Sequence, residues 1–396
     1  MTIVGQVLAV AALLLGVLLL IAVAVFALQI LAHASKPRAA DAAAPSRRAP
    51  LAVLVPAHNE ESGIAATLAA LLPQLATGDR LLVVADNCSD ATAAAARAAG
   101  AEVVERRSDL RGKGYALAYG IDHLRAAPPS AIVIVDADCE LGSGTLDALM
   151  DDLMRTGRPV QALYLMLAPA DAGLGRRMAQ FAWRVRNWAR PSGWQRLGLP
   201  CQLMGTGMAF SWDMLRDSPL ANSSIVEDMK LGIDLASRGT APIFCDRALV
   251  TSHFPDSAAA TSTQRTRWEH GHLEMILREV PRMLRTALGR GDVRLLGMAL
   301  DLAVPPLALL AGLLGLDWVL ALAGRLLGGG VAALALATAT LCMFFIAILV
   351  AWAVRGRDLV RLSELLAAPW YVVAKIPMYL RFIVRRQKEW VRTDRK

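Results

Sequence analysis

A chain of 396 residues is longer than one ordinary core requires, and 55% of it is hydrophobic, above the roughly 45–50% of soluble domains. Its net charge of +8, from 42 basic and 34 acidic residues, gathers beside apolar stretches, which argues against a nucleic-acid patch and for a membrane surface. The five cysteines (Cys88, Cys139, Cys201, Cys245 and Cys342) are widely spaced without any Cys-x-x-Cys, so they point to neither a disulfide framework nor a zinc site and suit a reducing compartment.

Residues 3–32 carry no charge, and as a helix they would span roughly 45 Å, enough for a hydrocarbon core of roughly 30 Å. A signal peptide is the rival reading, because Ala32-His33-Ala34 has the small-residue look of a cleavage site. The apolar run is too long for that role and no basic segment precedes it, so 1–34 reads as a retained anchor. Residues 35–49, rich in Ala, Pro and Arg, form a linker. Residues 50–272 have ordinary globular composition. The apolar run 51–56, closed by Pro56, predicts a buried strand, and 60–75 a helix with Ile64, Leu68, Leu71 and Leu72 on one face. Strands at 81–85, 102–105 and 131–136 alternate with helices at 91–99 and 113–124, which implies a doubly wound, mainly parallel α/β sheet. In such a sheet ligands bind at the carboxyl ends of strands, where Asn59, Asp86 and Asp136 fall.

Beyond Gln161 the pattern becomes irregular. Residues 273–294 predict a basic amphipathic helix lying in a membrane interface, with a core-facing helix as the alternative. Two apolar stretches follow within 295–356, at 295–327 and 331–354; the first carries Asp301, Pro305 and Pro306 and is expected to bend or to enter the membrane from about Leu302. The rest, 357–396, reads as an interfacial segment at 362–384 and a basic tail with Arg385, Arg386, Lys388, Arg392, Arg395 and Lys396. The tail's charges, with Lys36, Arg38, Arg47 and Arg48 after the anchor, place domain and tail on the cytosolic side of a cell membrane.

Five short motifs carry chemistry. Asp136-Ala-Asp138 ends an apolar strand and offers hard carboxylate oxygens to Mg²⁺ or Mn²⁺ beside a diphosphate, although strand-end aspartates also serve as helix caps. Asp86-Asn-Cys-Ser-Asp90 is a second acidic loop with the same two readings. Arg111-Gly-Lys113-Gly114 is either a phosphate contact or a tight turn. In Glu227-Asp228, one member of a carboxylate pair can act as a general base, or the pair is a solvated helix start. Gln264-x-x-Arg267-Trp268 joins a bidentate donor to an aromatic plane, or is an amphipathic helix end.

Taken in order, with the strand ending Pro56-Ala-His-Asn59-Glu60, these motifs resemble the family 2 glycosyltransferases over roughly residues 50–288. The likeness is to membrane-embedded synthases of cellulose, hyaluronan and poly-N-acetylglucosamine. It implies a GT-A-like, Rossmann-like cytosolic domain flanked by transmembrane and interfacial helices. It also implies a divalent metal, a nucleotide-sugar donor such as a UDP-sugar, and a polysaccharide or lipid-linked acceptor in cell-surface glycan synthesis. By the same resemblance Glu60 and Asp86 contact the nucleoside, Asp136 lies near uridine and phosphates, and Asp138 ligates the metal. Asp228 is the base that deprotonates the acceptor. Lys113 and Arg267 face the donor diphosphate, while Gly205, Thr206, Gln264 and Trp268 line the acceptor side. Synthases of long polymers carry more spans before the domain than the one found here, which leaves processive and single transfer both open. Two other readings stand beside this one: a haloacid-dehalogenase-type phosphotransferase, which also places Asp-x-Asp after a strand, and a non-catalytic scaffold of an export complex with partner proteins.

Overall fold

The computed structural model describes residues 2–35, 48–221, 226–255 and 258–384. Most of the expected linker, with Lys36, Arg38 and Arg47, and the basic tail from Arg385 onward lie outside the described residues.

One sheet of eight strands carries the domain: β1 (Leu51–Ala57), β2 (Arg80–Asp86), β3 (Glu102–Arg106), β4 (Ala131–Ile134), β5 (Glu140–Leu141), β6 (Val160–Leu167), β7 (Met208–Ser211) and β8 (Ile243–His253). Their spatial order is β3-β2-β1-β4-β7-β6-β8-β5. The first four are mutually parallel, as expected. The far half is mixed: β7 runs antiparallel to β4 and β6, and β5 antiparallel to β8. The expectation of a mainly parallel sheet is therefore corrected to a mixed one, and the stretch taken as irregular after Gln161 holds β6.

The continuous apolar runs have a simple cause. Leu51, Val53 and Val55 pack under the helix Ile64–Leu71, while Ala52 and Leu54 on the opposite face meet Leu117, Ile121 and Leu124 of the helix Lys113–Leu124. Both faces of the strand are covered, so no polar alternation survives. The helix expected at 60–75 is shorter, because Gly63 and Ile64 donate to the Glu60 carbonyl in a turn and Pro73 leaves only a 3₁₀ turn at Leu72–Gln74.

Among the described residues three helices are long and apolar enough to cross a membrane: Ile3–Ala34, Leu307–Leu326 and Val331–Arg355. The chain bends at Val304-Pro305-Pro306, separating Leu307–Leu326 from a short helix, Val293–Ala303. The amphipathic segment is part of a longer helix, Ala258–Arg290, that also carries the Gln-x-x-Arg-Trp motif. Met275, Val280, Met283 and Ala287 are buried against Met229 and Ile233 and against Leu295 and Met298, while Leu277 and Leu288 of the predicted apolar face stay exposed.

A buried polar knot joins the domain to the first apolar helix, Ile3–Ala34. Arg190 Nε donates to Gln29 Oε1 at 2.8 Å, Arg190 Nη2 reaches Asp301 Oδ1 at 2.9 Å, and Gln29 Nε2 donates to the same oxygen at 2.7 Å. Close by, Gly193 has no room for a side chain, since a Cβ there would lie 1.9 Å from the Gln29 carbonyl oxygen. Removing one partner of a buried, hydrogen-bonded ion pair typically costs about 3–5 kcal/mol. Arg190→Ala should therefore destabilise the purified protein by that order, measured by chemical unfolding in detergent. The shape-mimicking pair Arg190→Met with Asp301→Leu should recover much of the loss.

Candidate active site

The sheet's connections reverse direction between β1 and β4, the point at which doubly wound sheets open a crevice at their carboxyl ends. Two clusters lie along that edge.

The first is on the β1–β2 side. The loop after β1 is stitched to the loop after β2 by Ser89 N donating to Asn59 Oδ1 at 2.7 Å and Glu60 N donating to Thr92 Oγ1 at 2.8 Å. The capping reading holds for Asp90, whose carboxylate accepts from Thr92 N at 3.1 Å. It does not hold for Asp86, which is buried and accepts from Arg106 Nη1 at 2.6 Å. Arg106 also lies over the Tyr115 ring, 5.5 Å from its centroid. Reading the sequence alone missed Arg106, because a strand-end arginine gives no signal until β3 is laid beside β2.

The second cluster centres on Lys113. Gly112, with φ of 132°, turns the chain into the helix so that Lys113 points inward. Its ammonium forms an ion pair with Asp136 and donates to the Gly205 carbonyl at 2.7 Å. Gly205 has φ of 91°, where glycine is favoured, and a Cβ there would stand 3.3 Å from Asp228 Oδ2 and 3.7 Å from Lys113 Nζ. Asp136, Lys113, Gly205 and Asp228 are thus consecutive neighbours, drawn from four separate parts of the chain. Thr206 is fully buried and its hydroxyl accepts from Asp136 N at 3.0 Å. Buried Gln161 fixes this loop, accepting from Met204 N at 2.8 Å and donating to the Thr206 carbonyl at 2.9 Å. Gln161 was not foreseen; a polar residue inside an apolar strand was its only trace.

Glu227 and Asp228 begin the helix Glu227–Ser237, where the helix dipole favours negative charge. Burial pushes both carboxyls up from their ordinary range, and Asp228 raises Glu227 further by like-charge repulsion; Lys113 opposes both shifts. Burial acts against the Lys113 ammonium, but Asp136, Glu227 and Asp228 together hold it above its usual range. Arg267 is lowered by burial while Glu227 and Asp136 favour its charge, so it faces the same carboxylates. Trp268 packs on Trp183, ring centroids 5.0 Å apart, and Gln264 is buried beside it. Trp183 and Arg186, neither of them foreseen, complete this side. Arg186 lies on the π-helical turn Val185–Ala189, with its guanidinium 5.7 Å from the Trp183 ring centroid. Burial and Arg190 both push Arg186 below its usual range.

Asp136, Asp138 and Cys139 bring one ligand atom each within 4.8 Å of one another. Cys139 is fully buried and burial drives its thiol far up, so it stays protonated and is a poor ligand. That leaves two carboxylates at a partly open strand end, a donor set that fits a hard divalent cation.

Residues 48–271 match the family described as Glycosyltransferase like family 2. The chain belongs to this family. As a family 2 glycosyltransferase it is an enzyme, and the phosphotransferase and scaffold readings fall away. No curated protein matches it. Among solved structures, a mannosyltransferase from Pyrobaculum calidifontis in complex with GDP-Man and Mn²⁺ is 19% identical, with a TM-score of 0.55, covering 88% of this chain and 98% of that one. The fold of the glycosyltransferase is thus shared well beyond the family segment. A glucosyl-3-phosphoglycerate synthase from Mycobacterium tuberculosis, in complex with Mn²⁺, UDP and phosphoglyceric acid, is 23% identical over 56% of this chain and 78% of that one, with a TM-score of 0.39.

The raised carboxyls make a pH prediction. A group whose folded pKa lies above its unfolded value stabilises the fold while protonated, and that contribution is lost as pH rises above about 4.3, the free glutamate value. Glu227→Gln cannot ionise, so it should raise the neutral-pH melting temperature of the ligand-free enzyme and flatten the decline above that pH. Melting curves across a pH series check this; an unchanged slope would mean Glu227 is solvated.

Proposed function

We propose that this glycosyltransferase is membrane-bound and moves a sugar from a nucleoside diphosphate donor to an acceptor hydroxyl by single displacement, with inversion. Asp228 is the base. The observation that carries this reading is the row Asp136–Lys113–Gly205–Asp228, which sets a carboxylate of raised affinity for protons next to a cationic, glycine-lined floor. Carboxylates are ordinarily weak bases; burial makes Asp228 a better proton acceptor for a sugar hydroxyl, and such a base contributes about 10²–10⁴-fold.

Glu60 and Asp86 take the nucleoside, with Arg106 holding the Asp86 carboxylate in place. Asp138, with Asp136 beside it, would hold Mg²⁺ or Mn²⁺, which when bound offsets negative charge on the donor diphosphate. Lys113 and Arg267 add fixed positive charge for the leaving group, in a site where burial strengthens each interaction. Gly205 and Thr206 shape the acceptor floor, and Gln264 and Trp268 its wall. UDP is the expected nucleoside diphosphate; the Pyrobaculum mannosyltransferase, with GDP-Man, makes guanosine the alternative to test. The three apolar helices cross a cell membrane with the domain on the cytosolic side, and the acceptor is a glycan or a lipid-linked sugar.

The test is a panel of nucleotide sugars incubated with purified enzyme and Mg²⁺ or Mn²⁺, scoring nucleoside diphosphate release. Asp138→Asn should lose metal-dependent nucleotide binding. Asp228→Asn should keep donor binding while transfer falls by at least about 10²-fold. Transfer at the parent rate in Asp228→Asn would move the base to Glu227, and full turnover in excess chelator would refute the metal.

A further inference from the structure

Behind Trp268 opens a cavity of about 1070 Å³, at or above the upper end of the roughly 300–1,000 Å³ typical of small-molecule sites. Its two ends differ in chemistry. The end at the active site is lined by Trp183, Arg186, Gln264, Trp268 and Glu269. The rest is walled by apolar side chains of the membrane helices, including Leu307, Ala311, Leu341, Phe345 and Ile348, with the segment Leu362–Ala367 and Tyr371 on the third side.

Depth follows from helix geometry. Gly315, also on the wall, lies about 12 Å from the start of Leu307–Leu326, and Leu341 about 21 Å from the end of Val331–Arg355. With the domain on one side of a hydrocarbon core roughly 30 Å thick, the cavity runs from the domain side to about the middle of the bilayer. A sugar chain there would leave hydroxyls without partners, at a cost of several kcal/mol in aggregate. A hydrocarbon chain would not.

The charges settle which headgroup suits the mouth. Glu269 is occupied, accepting from Lys375 Nζ at 2.6 Å and from the Tyr379 hydroxyl. Arg190 is engaged with Gln29 and Asp301. Arg186 forms no salt bridge among the described residues: its guanidinium overlies Trp183, with Asp228 and Glu269 near enough to favour its charge, and Arg265, farther along the wall, overlies Tyr371. A half-buried guanidinium at the mouth of an apolar cavity calls for an anion, and it presents a planar fork suited to phosphate.

We propose that the acceptor is an anionic lipid whose phosphate is held by Arg186 at the mouth and whose hydrocarbon chain lies in the cavity between the helices Leu307–Leu326 and Val331–Arg355. This rests on the acceptor side assigned above and names its substrate class. Arg186 is then a binding residue that presents the lipid's hydroxyl-bearing head towards Asp228, and the membrane supplies the acceptor laterally.

The experiment uses the full-length protein in lipid nanodiscs with hexadecyl phosphate bearing a terminal diazirine. After photolysis, crosslinked peptides should map to 307–349. Unlabelled hexadecyl phosphate should compete at least tenfold better than hexadecanol, and inorganic phosphate at the same concentration should not compete. Arg186→Gln should abolish the preference for the phosphate and Arg186→Lys should retain part of it. Equal competition by hexadecanol, competition by inorganic phosphate alone, or crosslinks confined to the outer face of Ile3–Ala34 would overturn the proposal, and the competition arms decide this even where a variant does not fold. Binding of nucleotide sugar is measured on the same samples. Its weakening in Arg186→Gln would assign Arg186 to the donor instead, whereas an absence of nucleotide binding in the parent, with crosslinking intact, would refute the transferase mechanism and leave the lipid site standing.

Discussion

The position of the candidate active site relative to the long apolar helices depends on one buried knot, Arg190 with Gln29 and Asp301. Gln29 belongs to the first apolar helix, Asp301 to the short helix before the second, and Arg190 to the helix that follows the π turn. Each would be costly alone: an amide, a carboxylate and a guanidinium all removed from water. Together they satisfy one another, and Arg190 also donates to the Asp301 carbonyl at 2.8 Å. Such networks contribute modestly to net stability against an apolar substitute, but they tolerate only one arrangement of their partners. Around this knot Trp194 Nε1 donates to the Gly297 carbonyl at 3.0 Å, and Arg196 reaches the backbone at the end of the first helix. His272, on the helix that carries Gln264 and Trp268, bonds to the Leu302 carbonyl at 3.2 Å. The helix that carries Gln264 and Trp268 is thus tied by hydrogen bonding, through the short helix Val293–Ala303, to the apolar helices.

The site itself is a balance of charge that is incomplete without ligands. Asp136, Glu227 and Asp228 crowd around one ammonium, that of Lys113, with Arg267 at the edge. The raised carboxyls report excess negative charge in a partly dehydrated space. On the reading proposed above, a divalent cation at the acidic strand end and a diphosphate at Lys113 and Arg267 would bring both signs. The loop 204–207 passes close to Lys113 and Asp228 with Gly205 at φ 91°, a conformation that glycine accepts and other residues rarely do.

Much of this could be read from the residues alone where local pattern and burial agree. The parallel strands β1–β4 were visible because both faces are covered and each run ends in a polar residue at the ligand edge. The helix Lys113–Leu124 was visible to the residue. The far half of the sheet was not, because β7 is four residues long and β6 carries Gln161, whose polarity serves the loop beside it rather than solvent. The amphipathic stripe in Ala258–Arg290 has the same spacing whether it meets lipid or protein, so sequence could not choose between Met229 and a bilayer as its partner. Arg106, Trp183 and Arg186 were invisible for a further reason. Their roles exist only across elements, as a strand-end charge beside β2 or a guanidinium between a π turn and a cavity. Asp301 was noticed as an oddity in an apolar stretch, and its explanation needed Gln29, which lies 272 positions away along the chain.

The packing of the membrane helices bears on how product leaves. A polymer passing through the bundle would need a polar, hydrated lane between helices. Instead a Cβ added at Gly324 would sit 2.9 Å from the backbone nitrogen of Ala9, and one at Gly16 would sit 3.1 Å from Asp317 Oδ2. Small residues bring these helices to backbone contact, and Ala12, Ala321 and Ala337 fill the seam between them. Phe26 and Phe344 close the end nearer the domain, ring centroids 5.8 Å apart. The open volume lies to one side of this seam, between two helices and the C-terminal segment, and away from Trp268 its walls are mostly apolar. With the lipid proposed above as acceptor, this arrangement would take the acceptor from the bilayer and return the product to it. The apolar helix Ile3–Ala34 is held to the domain where Gln29 accepts from Arg190.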